Sequence, residues 1–205
     1  MRSRLYWAVQ SRFGRVPDAI RLSASEWDAD YAAGNWVGLD SITEVAHYML
    51  IVGYLDYAVP SARVLDVGCG HGRLLRLLAR FGFGDYLGVD ISSEAVERAR
   101  ALAIPGTRFD VVDMNRWDAS ERFDAVLFNE SLYYAKDPGA VFTRAVGWLS
   151  EEGIVIVSTF RQSPGSRKIW SAVESVATEP LAGCSVTDDT TGYTWDVRVM
   201  RRLRA

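Results

Sequence analysis

One short segment constrains the fold of this chain more than any other: the sequence VLDVGCGHG over 64–72. It reads as a buried strand followed by a turn with glycine at three alternate positions, and a helix is predicted directly after it, over 73–81. Glycine permits backbone dihedrals that a Cβ forbids and lets a ligand lie against bare peptide. The helix directs its N-terminal amides and the positive end of its dipole to the same point. The segment therefore predicts a site for the polar part of a nucleotide-like ligand.

The rest of the chain places this turn in an alternation of strands and helices. Short apolar runs of this kind are typical of central parallel strands that are covered on both faces. The alternation favours right-handed crossovers, and the last two strands read as a hairpin. We therefore predict an α/β fold, a Rossmann-like, doubly wound, three-layer αβα structure with a seven-stranded, mostly parallel sheet and a C-terminal antiparallel hairpin. The predicted strands are 63–67, 86–89, 108–112, 123–128, 154–159, 184–187 and 193–200, with helices over 73–81, 93–102, 138–149 and 166–177.

The N-terminal quarter has a different character, because it is helical in pattern and rich in aromatic residues. A helix is predicted to begin at Ser25 and to end at Gly34-Asn35. A second helix is predicted from Ser41 to about Asp56, with Ser41 and Glu44 at capping-box spacing. We expect residues 1–205 to form one domain, in which residues 1–60 are a helical lid and residues 61–205 a cofactor-binding core. Residues 1–25 carry no clear period and are expected to be peripheral.

The glycine spacing narrows the class of ligand. A dinucleotide fingerprint requires G-x-G-x-x-G, but Arg73 and Leu75 stand where its third glycine would fall. The segment instead has the form Asp-x-Gly-x-Gly-x-Gly, which resembles the first motif of class I S-adenosylmethionine-dependent methyltransferases. The resemblance covers about residues 63–160. It implies S-adenosylmethionine as the cofactor, S-adenosylhomocysteine as its product, and no metal.

The same resemblance implies a set of cofactor contacts at the ends of successive strands, where open α/β sheets bind ligands. Asp66 would help to fix the methionine amino group through water, and Asp90 would accept hydrogen bonds from both ribose hydroxyls. Asp113 would accept from the adenine amino group, and the backbone of Met114 would meet a ring nitrogen. The remaining predicted cofactor residues are Gly68, Cys69, Gly70, Gly72, Ile91 and Asn129. For Asp90 a helix-cap role and for Asp113 an ordinary surface position remain the alternatives.

The segment after the fourth predicted strand, NESLYY over 129–134, carries the acceptor-side candidates. It is similar to the Ser-Glu-Val-Leu-Tyr-Tyr segment of nodulation-type N-methyltransferases, from which it departs at Asn129 and Ser131. Glu130 would attract a substrate ammonium or take its proton, and Tyr133 and Tyr134 would stack on a cation or a sugar face. Packing of the two tyrosines against the sheet edge is the alternative.

Two aromatic residues of the N-terminal segment, Tyr31 and Trp36, are assigned to the cofactor site as part of the lid. A lid has to be mobile and to carry large side chains, such as aromatic ones, that cover the ligand. The alternative is that these side chains pack on the sheet as part of an ordinary helix.

Composition excludes several classes of protein. The net charge of −3 and the lack of a long basic block argue against a dedicated nucleic-acid binder. The two cysteines form no disulfide framework or metal-ligand spacing. No apolar run approaches the ~18 residues of a membrane span, and the weak apolar stretch near the start does not resemble a secretory signal. We therefore expect a cytoplasmic protein without a membrane or nucleic-acid partner.

These observations predict an enzyme that transfers a methyl group from S-adenosylmethionine to a nitrogen or oxygen of a small-molecule acceptor, with a slight preference for an amine through Glu130. An O-methyltransferase of a secondary metabolite is one alternative. A non-catalytic cofactor-binding or partner subunit is another. The missing third glycine argues against a third, a nicotinamide-dependent oxidoreductase.

Overall fold

A computed structural model describes residues 22–203 and confirms the predicted fold class. Residues 1–21, which belong to the segment 1–25 predicted to be peripheral, and residues 204–205 lie outside this range. The strands are β1 (Arg63–Val67), β2 (Asp85–Asp90), β3 (Thr107–Val111), β4 (Phe123–Asn129), β5 (Leu149–Phe160), β6 (Thr178–Asp188) and β7 (Tyr193–Arg202). The α-helices are α1 (Ala24–Ala32), α2 (Val45–Ala58), α3 (Arg73–Leu78), α4 (Ser93–Arg100), α5 (Pro138–Gly147) and α6 (Ser166–Glu174). Short 3-10 helices lie at Val37–Asp40, Ile42–Glu44 and Leu132–Tyr134.

Within the described range the seven strands form one sheet in the order β3-β2-β1-β4-β5-β7-β6. The first five strands are parallel to one another, whereas β7 is antiparallel to β5 and β6 is antiparallel to β7. The strand order reverses between β1 and β4. Because open α/β sheets bind ligands beyond the carboxyl ends of the strands at such a reversal, the topology places the glycine turn at the expected binding edge.

Both faces of the central strands are buried, which explains their continuous apolar sequences. On β1, Val64 packs into a cluster with α2, α3 and α4, and its neighbour Leu65 packs into a second cluster with α5 and α6. Successive side chains of a strand point to opposite faces, so the two clusters are the two interfaces of a three-layer structure. This packing holds the tips of β1, β2 and β4 in fixed positions relative to one another.

Several predicted boundaries are wrong. The fifth strand, predicted over 154–159, already begins at Leu149, and its pairing with β4 shifts register between Phe123 and Ala125. The regular part of α3 ends at Leu78 rather than at 81, and the chain then reaches Gly82 with a φ of +97°, a common way to end a helix. Strand β6 begins at Thr178 and is longer than the predicted 184–187.

The N-terminal caps also differ from the prediction. Helix α1 is capped two residues earlier than expected, by Ser23, whose side chain and that of Glu26 form a reciprocal capping box. The predicted capping box at Ser41 and Glu44 is wrong: Ser41 accepts from the amide of Thr43, and the Glu44 side chain makes no capping hydrogen bond. The predicted second helix is therefore a 3-10 turn followed by α2, and the carboxyl group of Glu44 is buried instead.

Candidate active site

The glycine turn leaves β1 with a backbone that side chains would not tolerate. Gly68, Gly70 and Gly72 have φ values of 79°, 55° and 79°. A Cβ on Gly68 would lie 2.4 Å from the Cβ of Ser131, and a Cβ on Gly70 would lie 2.8 Å from the hydroxyl of Tyr31. The turn therefore combines left-handed backbone with close approach of the neighbouring elements, and both features require glycine.

Asp66 lies at the base of this turn and is 1 % exposed. Its Oδ2 accepts a hydrogen bond of 2.7 Å from the hydroxyl of Tyr86, but its buried Oδ1 has no partner among the described residues. Burial raises the pKa of Asp66 to about 7, against the opposing effect of the Tyr86 hydrogen bond. A buried oxygen without a partner is costly, so Asp66 offers an acceptor for a donor group of a ligand.

Asp90, the last residue of β2, holds the turn from the other side. Its two carboxylate oxygens accept hydrogen bonds of 2.9 Å from the backbone amides of Gly70 and Ser92. Burial raises the pKa of this carboxyl group, and the amide bonds oppose that shift. Because each carboxylate oxygen has a second lone pair, Asp90 can still accept two donors from a ligand. Asp90 does not cap α4; Ser92 does, by accepting from the amide of Ala95.

The tip of β4 brings a third acidic side chain to the same place. Glu130 has a φ of 57°, which is uncommon for a residue with a Cβ. Its carboxylate accepts a hydrogen bond of 2.7 Å from the hydroxyl of Tyr133, and Ser158 on β5 lies 3.4 Å away and donates to Asn129 at 2.8 Å. Burial raises the pKa of Glu130 to about 7. This carboxyl group is therefore suited to take or release a proton near neutral pH.

Most of the predicted site residues line a single cavity between the glycine turn, the tip of β4 and the N-terminal helices. Of the residues that the sequence analysis assigned, the wall contains Tyr31, Trp36, Asp66, Gly68, Cys69, Gly70, Asp90, Ile91, Met114, Asn129, Glu130, Tyr133 and Tyr134.

Gly72 and Asp113 lie outside this wall. A Cβ on Gly72 would lie 2.7 Å from a methyl group of Leu102, so this glycine permits close packing against the end of α4. The Asp113 carboxylate accepts from the backbone amide and the side-chain amide of Asn115, at 2.9 and 2.6 Å. The cofactor contacts assigned to these two residues stay predictions.

The structure adds residues that the sequence analysis did not assign to the site. The most informative is Glu44, which is 4 % exposed and lies 3.7 Å from Nδ1 of His47. Burial and repulsion from Glu130 raise the pKa of Glu44 to about 8, and Arg73 opposes this shift. Its spacing from Ser41 predicted a capping box, so the only other signal in the sequence was an acid placed before a strongly apolar helix. Glu44 does not itself line the cavity, but its neighbours Glu130 and Arg73 do. The unassigned residues of the wall are Trp27, Leu39, Tyr48, His71, Arg73, Leu74 and Ser131.

Among residues 22–203, no group of three or more His, Cys, Asp or Glu side chains is placed to hold a metal ion. In the same range, no helix is both long enough and apolar enough to span a bilayer.

Comparison with known proteins identifies the family. Residues 45–190 match the methyltransferase domain family. The chain is 31% identical over 144 residues to the ubiquinone biosynthesis O-methyltransferase of Xanthomonas campestris, which covers 65% of this chain and 59% of that protein. It is 32% identical over 96 residues to the trans-aconitate 2-methyltransferase of Rhizobium etli, covering 46% and 37% of the two chains. The chain thus spans about six-tenths of the length of the first of these relatives.

Solved structures show the same fold. The N-methyltransferase NodS of Bradyrhizobium japonicum, in complex with S-adenosylhomocysteine, matches with a TM-score of 0.71 at 15% identity, over 98% of this chain and 100% of that one. The 1,6-didemethyltoxoflavin N1-methyltransferase of Burkholderia thailandensis matches with a TM-score of 0.72 at 19% identity, over 88% and 87% of the two chains. With the glycine turn and its acids, these matches show that the chain belongs to the methyltransferase domain family, among the class I S-adenosylmethionine-dependent methyltransferases.

Proposed function

We propose that the protein transfers the methyl group of S-adenosylmethionine to an amine nitrogen of a small-molecule acceptor. In this proposal Glu130 binds the acceptor as its ammonium form and takes its proton. The observation that carries the proposal is the position of Glu130: a partly buried carboxyl group on the wall of the cavity that the glycine turn also lines, with a pKa raised to about 7.

The residues around the turn fit the cofactor. The unpartnered Oδ1 of Asp66 suits the methionine amino group, and the free lone pairs of Asp90 suit the two ribose hydroxyls. Gly68 and Gly70 leave backbone where a side chain would fill the space. When bound, S-adenosylmethionine supplies an electrophilic methyl group on a sulfonium.

On the acceptor side, a residue has to remove one proton from the acceptor nitrogen. An ammonium has no lone pair, so it must lose a proton before its nitrogen can attack a methyl group. A carboxylate with a pKa near 7 is matched to this task at neutral pH. The hydroxyl of Tyr133 fixes the orientation of Glu130, and the ring of Tyr134 offers a face for the cation.

The lid aromatics exclude water from the cavity. Trp27 and Tyr31 are 9 % and 6 % exposed, and the Trp27 ring lies 5.3 Å from that of Trp36 and 4.8 Å from that of Tyr134. Exclusion of water strengthens the electrostatic interactions of the buried acids. This supports the proposed division of the chain into an N-terminal helical lid and a cofactor-binding core.

Methyl transfer to oxygen is the second candidate, because the ubiquinone biosynthesis relative is an O-methyltransferase. Glu130 would then take the proton of a hydroxyl group instead of that of an ammonium. The two candidate acceptors differ in charge: an amine binds as a cation, whereas a hydroxyl compound binds as a neutral group. An ammonium offsets the cost of ionising Glu130, whereas a neutral hydroxyl does not.

A transfer assay with methyl-labelled S-adenosylmethionine tests the proposal. The acceptors are matched pairs in which an amine and a hydroxyl compound share one carbon skeleton, and product is located by mass spectrometry. We expect label in the amine member of at least one pair and a dependence on ionised Glu130. Label in hydroxyl members alone would transfer the assignment to oxygen, and no label in any member would contradict both candidates.

A further inference from the structure

Within the predicted N-terminal lid of residues 1–60, residues 23–40 lie directly over the glycine turn, and the word lid refers to these residues from here on. The Tyr31 hydroxyl is only 2.8 Å from the point that a Cβ of Gly70 would occupy, and Tyr31 and Trp36 stack with ring centroids 5.8 Å apart. The cavity left beneath the lid has a volume of about 100 Å³. Ligand pockets for compounds of cofactor size usually measure roughly 300–1,000 Å³. The lid therefore has to move before the proposed cofactor can enter.

One end of the lid is held by direct hydrogen bonds from Asp28. Its Oδ1 accepts from the Ser92 hydroxyl at 2.7 Å and from the backbone amide of Glu94 at 3.1 Å, and its Oδ2 accepts from the Ser93 hydroxyl at 3.0 Å. Asp28 thus adds a second cap to the N-terminus of α4, from a segment more than 60 residues away. These bonds lower the pKa of Asp28, the Ser92 hydroxyl having the largest effect.

The hydrogen bonds of Asp28 are connected through Ser92 to Asp90, the acid of the proposed ribose site. Ser92 donates its hydroxyl to Asp28 and its backbone amide, at 2.9 Å, to Asp90. Asp90 in turn accepts from the amide of Gly70, beneath Tyr31. One continuous set of hydrogen bonds therefore runs from the lid through Ser92 to Asp90 and the glycine turn.

The other end of the lid is held loosely. Asp40 has Arg73 and Arg76 as cationic neighbours at 3.5 Å each and His71 at 3.6 Å, and its side chain is 42 % exposed. Charge-assisted hydrogen bonds are usually about 2.7–2.9 Å long, and exposed ion pairs contribute little to stability. Opening therefore costs less at Asp40 than at Asp28.

We propose that Asp28 is a positioning residue for the cofactor: it fixes the lid to α4 and orients Asp90, while the lid opens at its Asp40 end. This inference rests on the proposed use of S-adenosylmethionine. It does not depend on the identity of the acceptor, so it can be tested by cofactor binding alone.

The test compares Asp28→Ala, Asp28→Asn and Asp40→Asn in the full-length chain, with S-adenosylhomocysteine as the probe. Tryptophan fluorescence in a stopped-flow instrument gives association and dissociation rates, and calorimetry gives the Kd. We expect Asp28→Ala to raise the Kd and the dissociation rate at least tenfold. Asp28→Asn keeps an oxygen for Ser92 and Glu94, and its amide can donate to the Ser93 hydroxyl, so we expect a change below threefold.

Asp40→Asn should raise the association and dissociation rates together and leave the Kd within twofold, because it weakens the opening end alone. The matched control is Asp56→Ala, an exposed acid on α2 outside the cavity wall, which should change neither rate. Unchanged Kd and dissociation rate in a folded Asp28→Ala variant would overturn the inference, as would equal losses in Asp28→Ala and Asp28→Asn. Failure of the wild-type protein to bind the probe would instead contradict the proposed cofactor.

Discussion

The two ends of the cavity are built from different kinds of structure. The cofactor end consists of the tips of β1 and β2, where Asp90 is held by backbone amides at 2.9 Å. The acceptor end combines β4, α2 and the lid, and two acids repel each other there: Glu44, which is buried at the start of α2 without capping it, and Glu130. Backbone amides thus hold the ribose-side acid of the cofactor end, whereas a cationic ligand would relieve the repulsion at the acceptor end.

The largest effect is expected from Glu130→Gln, a substitution at the acceptor end that should impair catalysis. Glu130→Gln removes the proposed base but keeps the shape of the side chain, so we expect turnover to fall by about 100- to 10,000-fold. In the wild-type protein kcat/KM should rise with pH through about 7, because the ionised form of Glu130 is the active one. A pH profile with the best amine acceptor measures both effects, and an active variant with an unchanged profile would remove Glu130 from the mechanism.

Gly68→Ala tests the cofactor end. Its Cβ would lie 2.4 Å from that of Ser131 at a φ of 79°, so both overpacking and backbone strain oppose the substitution. We expect overpacking and strain together to destabilise the folded turn by about 2–5 kcal/mol. The effect should be seen as loss of cofactor binding and a lower Tm. The matched control is Gly82→Ala, which has a φ of 97° but open space around the new Cβ. It should show strain alone, and equal losses in the two variants would contradict the packing argument.

Asp90→Ala should weaken cofactor binding by roughly 10- to 150-fold, because charged hydrogen bonds contribute about 1.5–3 kcal/mol. The Kd for S-adenosylhomocysteine, measured by calorimetry, checks this value. Comparison with a 2′,3′-dideoxyribose analogue sharpens the result: Asp90→Ala should weaken binding of the analogue less than binding of S-adenosylhomocysteine, because only the support of the glycine turn is lost. A variant that keeps wild-type affinity while folded would refute the ribose role.

The smallest effect concerns stability at the acceptor end. The pKa of Glu44 is raised from 4.5 to about 8 in the folded chain. The folded state therefore holds a proton that the unfolded state has lost, and stability falls as pH rises from about 4.5 to about 8. Glu44→Gln removes this loss, so its stability relative to wild type should rise by about 2 kcal/mol between pH 5 and pH 6.5. Denaturant titration at both pH values measures the change. The exposed Glu151→Gln is the control, and a pH-independent difference for Glu44→Gln would contradict the raised pKa.

The contrast between the two ends also explains what the sequence could predict. The strand–turn–helix around Gly68 is contiguous, and its glycines are required by the backbone itself, so the fold and most of the cofactor wall were predictable. The early start of β5 and its register shift were not, because they follow from pairing with β4 rather than from local sequence. The position of Glu44 was not predictable either. Its spacing from Ser41 is that of a helix start, but long-range packing buries its carboxyl group near His47.

The most direct test of this division is a calorimetric titration of wild type and Glu130→Gln with S-adenosylhomocysteine under identical conditions. We predict that both proteins bind one equivalent with Kd values within twofold of each other, because the cofactor end does not depend on Glu130. Absence of binding to the wild-type protein at millimolar concentration, or loss of binding in Glu130→Gln alone, would contradict the account.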